Sequence, residues 1–391
     1  MRAQNCRKTM KKQRNHIDIL ILIVVLILMV LSIGVVYSAS APWALERTGS
    51  PGTLMTNHVI SVLAGIGVLF IFMNIPYRAY KKLSKPGMLL AIGLLIATLI
   101  VGTEIKGATR WIQLGTINFQ PSEIAKLAVL VHLCVLVERK KQYFHDWRRT
   151  LLPITVWVII VVSLIMLQPN FSMAAMILAL SVLVLYLGRI PVRQLAAGGV
   201  LALPVVALYF VSAPYRLRRI TGFFDGEAGS ADVSYQMSQG ILAFGSGGIF
   251  GVGPGASRQR DFFLPESYGD FVFAIFGEEW GFIGAAFVIV IFAIIFLRGF
   301  RIALNSEDEF GKLLAGAMTI VVTSYAVINS LVTTGLLPTT GLPMPFLSYG
   351  GTAMIVNAAA IGILLNISSY TNLRPKTDKK NPAGLQIDRV R

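Results

Sequence analysis

The chain has 391 residues, 55% of them hydrophobic and 14% charged, with 35 Lys and Arg against 19 Asp and Glu, a formal net charge of +16. So much apolar content excludes a soluble domain and marks a polytopic membrane protein. Nucleic-acid binding is excluded as the reason for the positive balance, since no basic helix or aromatic stacking platform accompanies it; the tendency of cytoplasmic loops to carry Lys and Arg explains it.

Residues 1–16 form a basic, polar tail. The run at 17–37 is too long for the apolar part of a cleaved signal and reads as a first spanning helix. Further apolar runs begin near Asn57, Leu83, Pro121, Leu151, Ser172, Gln194, Phe271, Lys312 and Phe346, which makes about ten spans at ~20 residues each. Residues 372–391 hold Pro375, Pro382 and Gly384 among charges and read as a disordered tail. Cys6 lies in the first tail and Cys134 in an apolar helix, so no disulfide framework is expected. The expected fold is all-α: a membrane domain over 17–371, with a long extracellular loop at about 214–269 between the seventh and eighth helices.

Basic residues set the orientation. They fill the tail (Arg7, Lys8, Lys11, Lys12), the second loop (Arg78, Lys81, Lys82, Lys85), the fourth (Arg139, Lys140, Lys141, Arg148, Arg149), the sixth (Arg189, Arg193), the eighth (Arg298, Arg301) and the C-terminal tail. Ten spans put all of these on one side and both termini in the cytoplasm. The long outer loop carries Arg216, Arg218, Arg219, Arg258 and Arg260 against this trend. Long loops translocate regardless of charge, and an anionic ligand is the competing explanation.

Several polar constellations stand at membrane depth. Glu123 and Lys126 follow Pro121 at the start of the fourth helix, three residues apart on one face. They form either a purely structural pair or, with Arg110 of the preceding loop, the lining of an outer polar cavity. Gln168 and Asn170 in a short turn read as caps of the next helix. Tyr235-Gln236-Met-Ser-Gln239 leads into Phe244-Gly-Ser246-Gly-Gly-Ile-Phe-Gly-Val-Gly-Pro-Gly255, then Ser257, Arg258 and Arg260. Such glycine density makes either a hinge or a nest of backbone N–H groups for an anion. Asp270 stands where this loop meets an apolar helix, as an N-cap or a functional carboxylate. Glu278 lies about 12 Å deeper and needs a buried partner, Lys126 or an arginine; Glu279 is beside it. The stretch 335–352, with Pro338, Pro343 and Pro345 and the Ser348-Tyr-Gly-Gly end, cannot be regular helix. It is a re-entrant plug or the wall of a wet cavity, with Asn329 just before it.

Taken together, Gly107-Ala-Thr-Arg-Trp-Ile, Gln120-Pro-Ser-Glu, Tyr215-Arg-Leu-Arg-Arg, Phe263-Leu-Pro-Glu, Asp270-Phe-Val-Phe-Ala, Gly277-Glu-Glu and Gly335-Leu-Leu-Pro-Thr-Thr-Gly-Leu-Pro resemble, in order and spacing, the SEDS family of bacterial membrane proteins, which includes FtsW, RodA and SpoVE. The division-type members are the nearer match. The resemblance implies a multi-pass protein of the bacterial cytoplasmic membrane that polymerises lipid II into β-1,4-linked glycan strands on the outer face. Its implied partners are lipid II, a class B penicillin-binding transpeptidase and proteins of the division or elongation complex. The family's essential acidic residue falls at Asp270, and Arg110, Glu123 and Lys126 fall at polar cavity positions. Two departures stand out: Asn170 replaces an acidic residue, and Tyr268-Gly269 replaces a histidine–threonine pair.

On this reading Asp270 is the general base, and inversion at the anomeric carbon follows from an α-linked diphosphate donor and a β product. Candidate substrate-binding residues are Arg110, Glu123, Lys126, Arg216, Gln236, Gln239, Ser246, Arg258 and Ser348. Glu278, Glu279, Asn329 and Pro343 are expected to support the cavity. A divalent cation, Mg or Mn, is expected as an alternative to arginines for stabilising the departing diphosphate; no organic cofactor is expected. The competing functions are a lipid II flippase or transporter, an elongation-type polymerase, and a non-catalytic scaffold.

Overall fold

The computed structural model describes residues 16–105, 108–114, 117–144, 146–199 and 231–371. The Arg216–Arg219 cluster, both charged tails and most of the span expected from Gln194 lie outside the described residues; of that span 192–199 is described, and it is helical.

Ten longer helices are described, namely α1 (Ile19–Thr48), α2 (Thr53–Asn74), α3 (Ala79–Val101), α4 (Pro121–Lys140), α5 (Trp147–Leu167), α6 (Phe171–Leu187), α7 (Ala231–Gly247), α8 (Val272–Asn305), α9 (Glu309–Thr333) and α10 (Gly351–Ser368). Their ends follow local chemistry. Asp18 caps α1 by accepting from the Ile21 N–H, and Gly49 closes it at φ 70°. Pro121 occupies the first turn of α4, where its missing N–H costs nothing. Asp308 caps α9 by accepting from the Gly311 N–H.

Among the described residues seven helices, α1, α2, α3, α5, α8, α9 and α10, are long and apolar enough to cross a membrane. Charges at both ends of α4 keep it out of that set, and α6 is a shorter apolar helix of 17 residues. The most central helices are not the most apolar ones: 89% of the spanning stretch of α10 and 72% of that of α9 are buried, against 44% for α1. Lipid-facing helices must be apolar, while an interior helix can carry polar groups paired within the protein.

One end of the bundle is laced by ion pairs. Arg298 meets Asp18 at 2.8 Å, Lys81 meets Glu138 at 2.6 Å, and Lys141 meets Glu309 at 3.1 Å. The Asp18 N–H donates to Ser368 Oγ at 3.0 Å, so the start of α1 and the end of α10 share this end. The described parts of 102–119 and the segments 168–170, 248–270 and 334–350 lie at the other end.

Four sequence expectations change. A three-stranded antiparallel sheet, β1 (Thr103–Ile105), β2 (Ala108–Leu114) and β3 (Ile117–Phe119), folds where only loop was expected. The outer segment 214–269, expected as loop, contains α7, which packs along the first turns of α8. Their backbones approach closely: a Cβ added at Gly247 would sit 2.9 Å from Glu278 Cα. The last span begins at Gly351 rather than near Phe346, because Phe346 is at φ 61° and Ser348 Oγ accepts from the Met344 N–H to close a turn. The caps also differ. Phe271, not Asp270, is the N-cap of α8, and Asn170, though at the N-cap of α6, makes no side-chain cap bond. Gln168 instead donates from Nε2 to the Leu95 carbonyl at 3.0 Å.

Candidate functional site

Helix α9 organises the site. Tyr325 and Asn329 lie four residues apart on it, on one face and about 6 Å along the axis. At the deeper level Lys126 sits with Nζ 4.0 Å from the Tyr325 ring centroid and 2.6 Å from Glu123 Oε2. Both charged residues are only 1% exposed. The two charges, three apart on α4, satisfy each other as the sequence anticipated. At the outer level Asn329 Nδ2 donates to the Asp270 carbonyl at 2.7 Å and to the Leu342 carbonyl at 2.9 Å. One amide therefore joins the start of α8 to the proline-rich turn of 335–350.

Asp270 is partly exposed at this junction. A Cβ built on Gly341, which has φ 71°, would lie 3.7 Å from Asp270 Oδ2, so the Thr339-Thr340-Gly341 turn borders the carboxylate. Thr340 Oγ1, shielded from solvent, makes no hydrogen bond. The proline-rich stretch was singled out in the sequence, but not its threonines; nothing in composition distinguishes a turn residue beside a carboxylate from any other.

The two glutamates below Asp270 meet hydroxyl and backbone donors from α7, the following loop and α1. Glu278 accepts from the Ser246 hydroxyl at 3.1 Å, from the Ser257 hydroxyl, and from the Arg258 and Gln259 N–H groups at 3.2 and 3.3 Å. Its expected partner, Lys126 or an arginine side chain, is therefore replaced by four neutral donors. Glu279 accepts from the Ser38 hydroxyl, which also accepts from Arg260 NH1 at 2.9 Å. Both glutamates are 2% exposed, and each bond to a carboxylate offsets part of its desolvation at about 1.5–3 kcal/mol.

The backbone of the glycine-rich turn pairs with the protein itself. Helix α8 is broken at Gly281 (φ 65°, ψ −166°). The segment 248–253 fills the break: Val252 and Gly253 N–H donate to the Glu278 and Glu279 carbonyls at 3.0 Å, while Phe282 and Ile283 N–H donate to the Gly248 and Ile249 carbonyls at 2.9 and 3.2 Å. These N–H groups serve the helix rather than a phosphate. The sequence pointed to glycine density but not to its target, which is distant along the chain.

The remaining candidates spread over the outer end. Arg110 donates to the Pro169 carbonyl, tying β2 to the α5–α6 turn. Gln236 and Gln239 lie partly exposed on α7. The Arg258 side chain is exposed while its N–H is engaged with Glu278. Ser348 is buried and closes its own turn, with Pro343 partly exposed in the same stretch. Arg216 lies outside the described residues. Tyr268, two residues before Asp270, packs on Trp43 at 5.3 Å and on Tyr349 at 5.8 Å, and its carbonyl accepts from the Tyr349 N–H at 3.0 Å. Burial, and then Tyr349, push the Tyr268 phenol above the ordinary tyrosine range, with Arg47 pulling the other way, so it remains a neutral O–H group at neutral pH.

The family of cell cycle proteins that comprises FtsW, RodA and SpoVE matches residues 18–373. The probable peptidoglycan glycosyltransferase FtsW of Trichlorobacter lovleyi is 35% identical over 364 residues, 93% of this chain and 96% of that protein. Stage V sporulation protein E of Bacillus subtilis is 34% identical over 358 residues, 90% of this chain and 97% of the relative. Among solved structures, a chain from a peptidoglycan synthase complex that coordinates polymerization and crosslinking superposes with a TM-score of 0.74 at 26% identity, covering 90% of this chain and 97% of that one. The rod shape determining protein RodA of Thermus thermophilus superposes with a TM-score of 0.66 at 25% identity, covering 90% of this chain and 96% of that one.

Proposed function

This chain belongs to the FtsW/RodA/SpoVE family of cell cycle proteins, and from that premise we propose that it is a division-type peptidoglycan glycosyltransferase that polymerises lipid II in the bacterial cytoplasmic membrane. The supporting relatives are named probable peptidoglycan glycosyltransferase FtsW, and the match covers 96% of their length. The single structural observation behind the reading is the partly exposed Asp270, anchored through its backbone by Asn329 at the outer end of a multi-pass bundle. In this reading the positive-inside tendency turns the end rich in Lys and Arg to the cytoplasm, with the start of α1 and the end of α10, which share one end, on that side and Asp270 outside.

In the reaction the Asp270 carboxylate accepts the proton of the acceptor 4-hydroxyl as that oxygen bonds to the anomeric carbon of the growing, lipid-linked glycan. The diphosphate leaves with the electron pair of the broken bond, and the configuration inverts. A good leaving group needs no strong acid, so one base suffices. Arg216 and the exposed side chain of Arg258 meet the diphosphate; the glycine turn does not, its N–H groups being committed to α8. A divalent cation, Mg or Mn, is the alternative to these arginines for stabilising the departing diphosphate. Glu123, Lys126, Glu278 and Glu279 keep the cavity polar and fixed. A class B penicillin-binding transpeptidase is the proposed partner, supported by the likeness to a chain of a peptidoglycan synthase complex that coordinates polymerization and crosslinking.

The test is polymerisation of lipid II supplied in detergent, with and without the transpeptidase. Asp270→Asn is expected to lose at least ~100-fold in rate while keeping a monodisperse elution profile and its partner. A mutant polymerising at the wild-type rate would remove Asp270 from the mechanism. Because no membrane has to be crossed, a flippase would give no polymer even as wild type.

A further inference from the structure

Beside the Asp270 junction the segment 260–268 borders a partly open cavity of about 280 Å³ against the outer end of α1. Its lining is mixed, with Leu264, Pro265 and Ser267 beside aromatic and charged groups. Trp43, Phe262 and Tyr268 supply aromatic surface; Arg260 and Glu266 supply a cation and a carboxylate. The Trp43 and Tyr268 rings are tilted by 54°, making a corner rather than a stack. The loop is built at some cost: Phe262 and Glu266 adopt φ 68° and 55°, conformations costing a non-glycine residue roughly 1–3 kcal/mol each. It is also pinned, with Ser267 Oγ donating to the Ala39 carbonyl and the Glu266 carbonyl accepting from the Gly269 N–H at 2.9 Å. Arg260 Nε, shielded from solvent, makes no hydrogen bond and lies 3.6 Å from Asp261 Oδ1.

We propose that this cavity is a glycan subsite that takes one N-acetylated hexopyranose ring of the polymer, its C–H face on Trp43 and Tyr268 and its hydroxyl or acetamido groups on Arg260 and Glu266. The volume is at the small end for a ligand site, enough for one ring and too small for a lipid tail. Charged side chains on one wall also disfavour a hydrocarbon occupant, since an acyl chain would desolvate them without compensation. Tyr268 is two residues from Asp270, at most roughly 7 Å along an extended backbone, so a ring held here is a close neighbour of the reacting sugar. The subsite deepens the polymerase reading and rests on it for its biological meaning, but not for its test.

The experiment measures binding of a soluble N-acetylglucosamine tetramer to the detergent-solubilised full chain by saturation-transfer NMR. The same preparations are assayed in parallel for lipid II polymerisation. Wild type should bind, Trp43→Ala and Phe262→Ala should each weaken binding at least fivefold, and Trp43→Phe should keep most of it. Phe262 is exposed at the rim, so its variant stays informative if Trp43→Ala fails to fold. No saturation transfer to wild type, or equal transfer to wild type and Phe262→Ala, overturns the subsite. Polymerisation without tetramer binding would sink the subsite and leave the proposed function standing. Tetramer binding lost in the variants, from a wild type that makes no polymer, would keep the subsite and sink the function.

Discussion

Gly281→Ala tests the broken helix that positions the two glutamates. At φ 65° and ψ −166° the residue occupies a region open essentially to glycine, so an alanine there costs roughly 1–3 kcal/mol in backbone strain. Space is also lacking: a Cβ would lie 2.7 Å from the Ile249 carbonyl carbon, and backbone cannot swing aside as a flexible side chain does. Moving 248–253 away would part the bonds from Phe282 and Ile283 to Gly248 and Ile249. A buried backbone group left unpaired adds about 1–3 kcal/mol each. The sum is about 4 kcal/mol or more, and at about 2 °C per kcal/mol for a chain this long it lowers the apparent melting midpoint by roughly 8 °C. The control is Gly245→Ala on α7, where a Cβ meets nothing within 4 Å; helix propensity should stabilise it by up to ~1 kcal/mol. The assay is fluorescence-detected thermal unfolding of detergent-solubilised protein, at one scan rate for all three chains. Equal midpoints for wild type and Gly281→Ala would refute the account of the break.

The remaining expectations follow from single contacts. Lys126→Met alone leaves Glu123 buried and unpaired and should cost ~3–5 kcal/mol, whereas Glu123→Gln with Lys126→Met should recover most of that loss in the same thermal assay. Additive single-mutant losses would show that the pair is not coupled. Asn329→Ala unties Asp270 from the Leu342 turn; kcat should fall roughly 10- to 100-fold with KM little changed, because position rather than substrate contact is lost. Burial, and then Asp308, push the Tyr77 phenol from 10.0 to about 12. The fold therefore favours the neutral phenol: that stability is complete below pH 10 and lost as pH rises from 10 to about 12. In melting midpoints across that range, Tyr77→Phe should fall less steeply than wild type; parallel curves would discount the shift.

Much of the architecture could be read from the chain. Apolar runs of spanning length, the alternation of Lys and Arg between loops, Pro121 at a helix start and the Glu123–Lys126 spacing are local patterns, and local patterns survive folding because they follow from hydropathy and helix period. Asp270 was visible for the same reason, a carboxylate where a polar loop meets an apolar run. The partners of Glu278 were not. Its four donors lie 19 to 32 residues earlier, and Lys126, the partner that charge alone would choose, is committed to Glu123 instead. The same limit hid the packing of α7 on α8, where Gly247 and Gly277 admit close contact between the two helices, and the aromatic corner of Trp43 and Tyr268, 225 residues apart. A sequence dictates which groups cannot face lipid; which group each one meets instead depends on the packing of helices far apart in the chain, where contact is settled by shape and competition rather than by spacing.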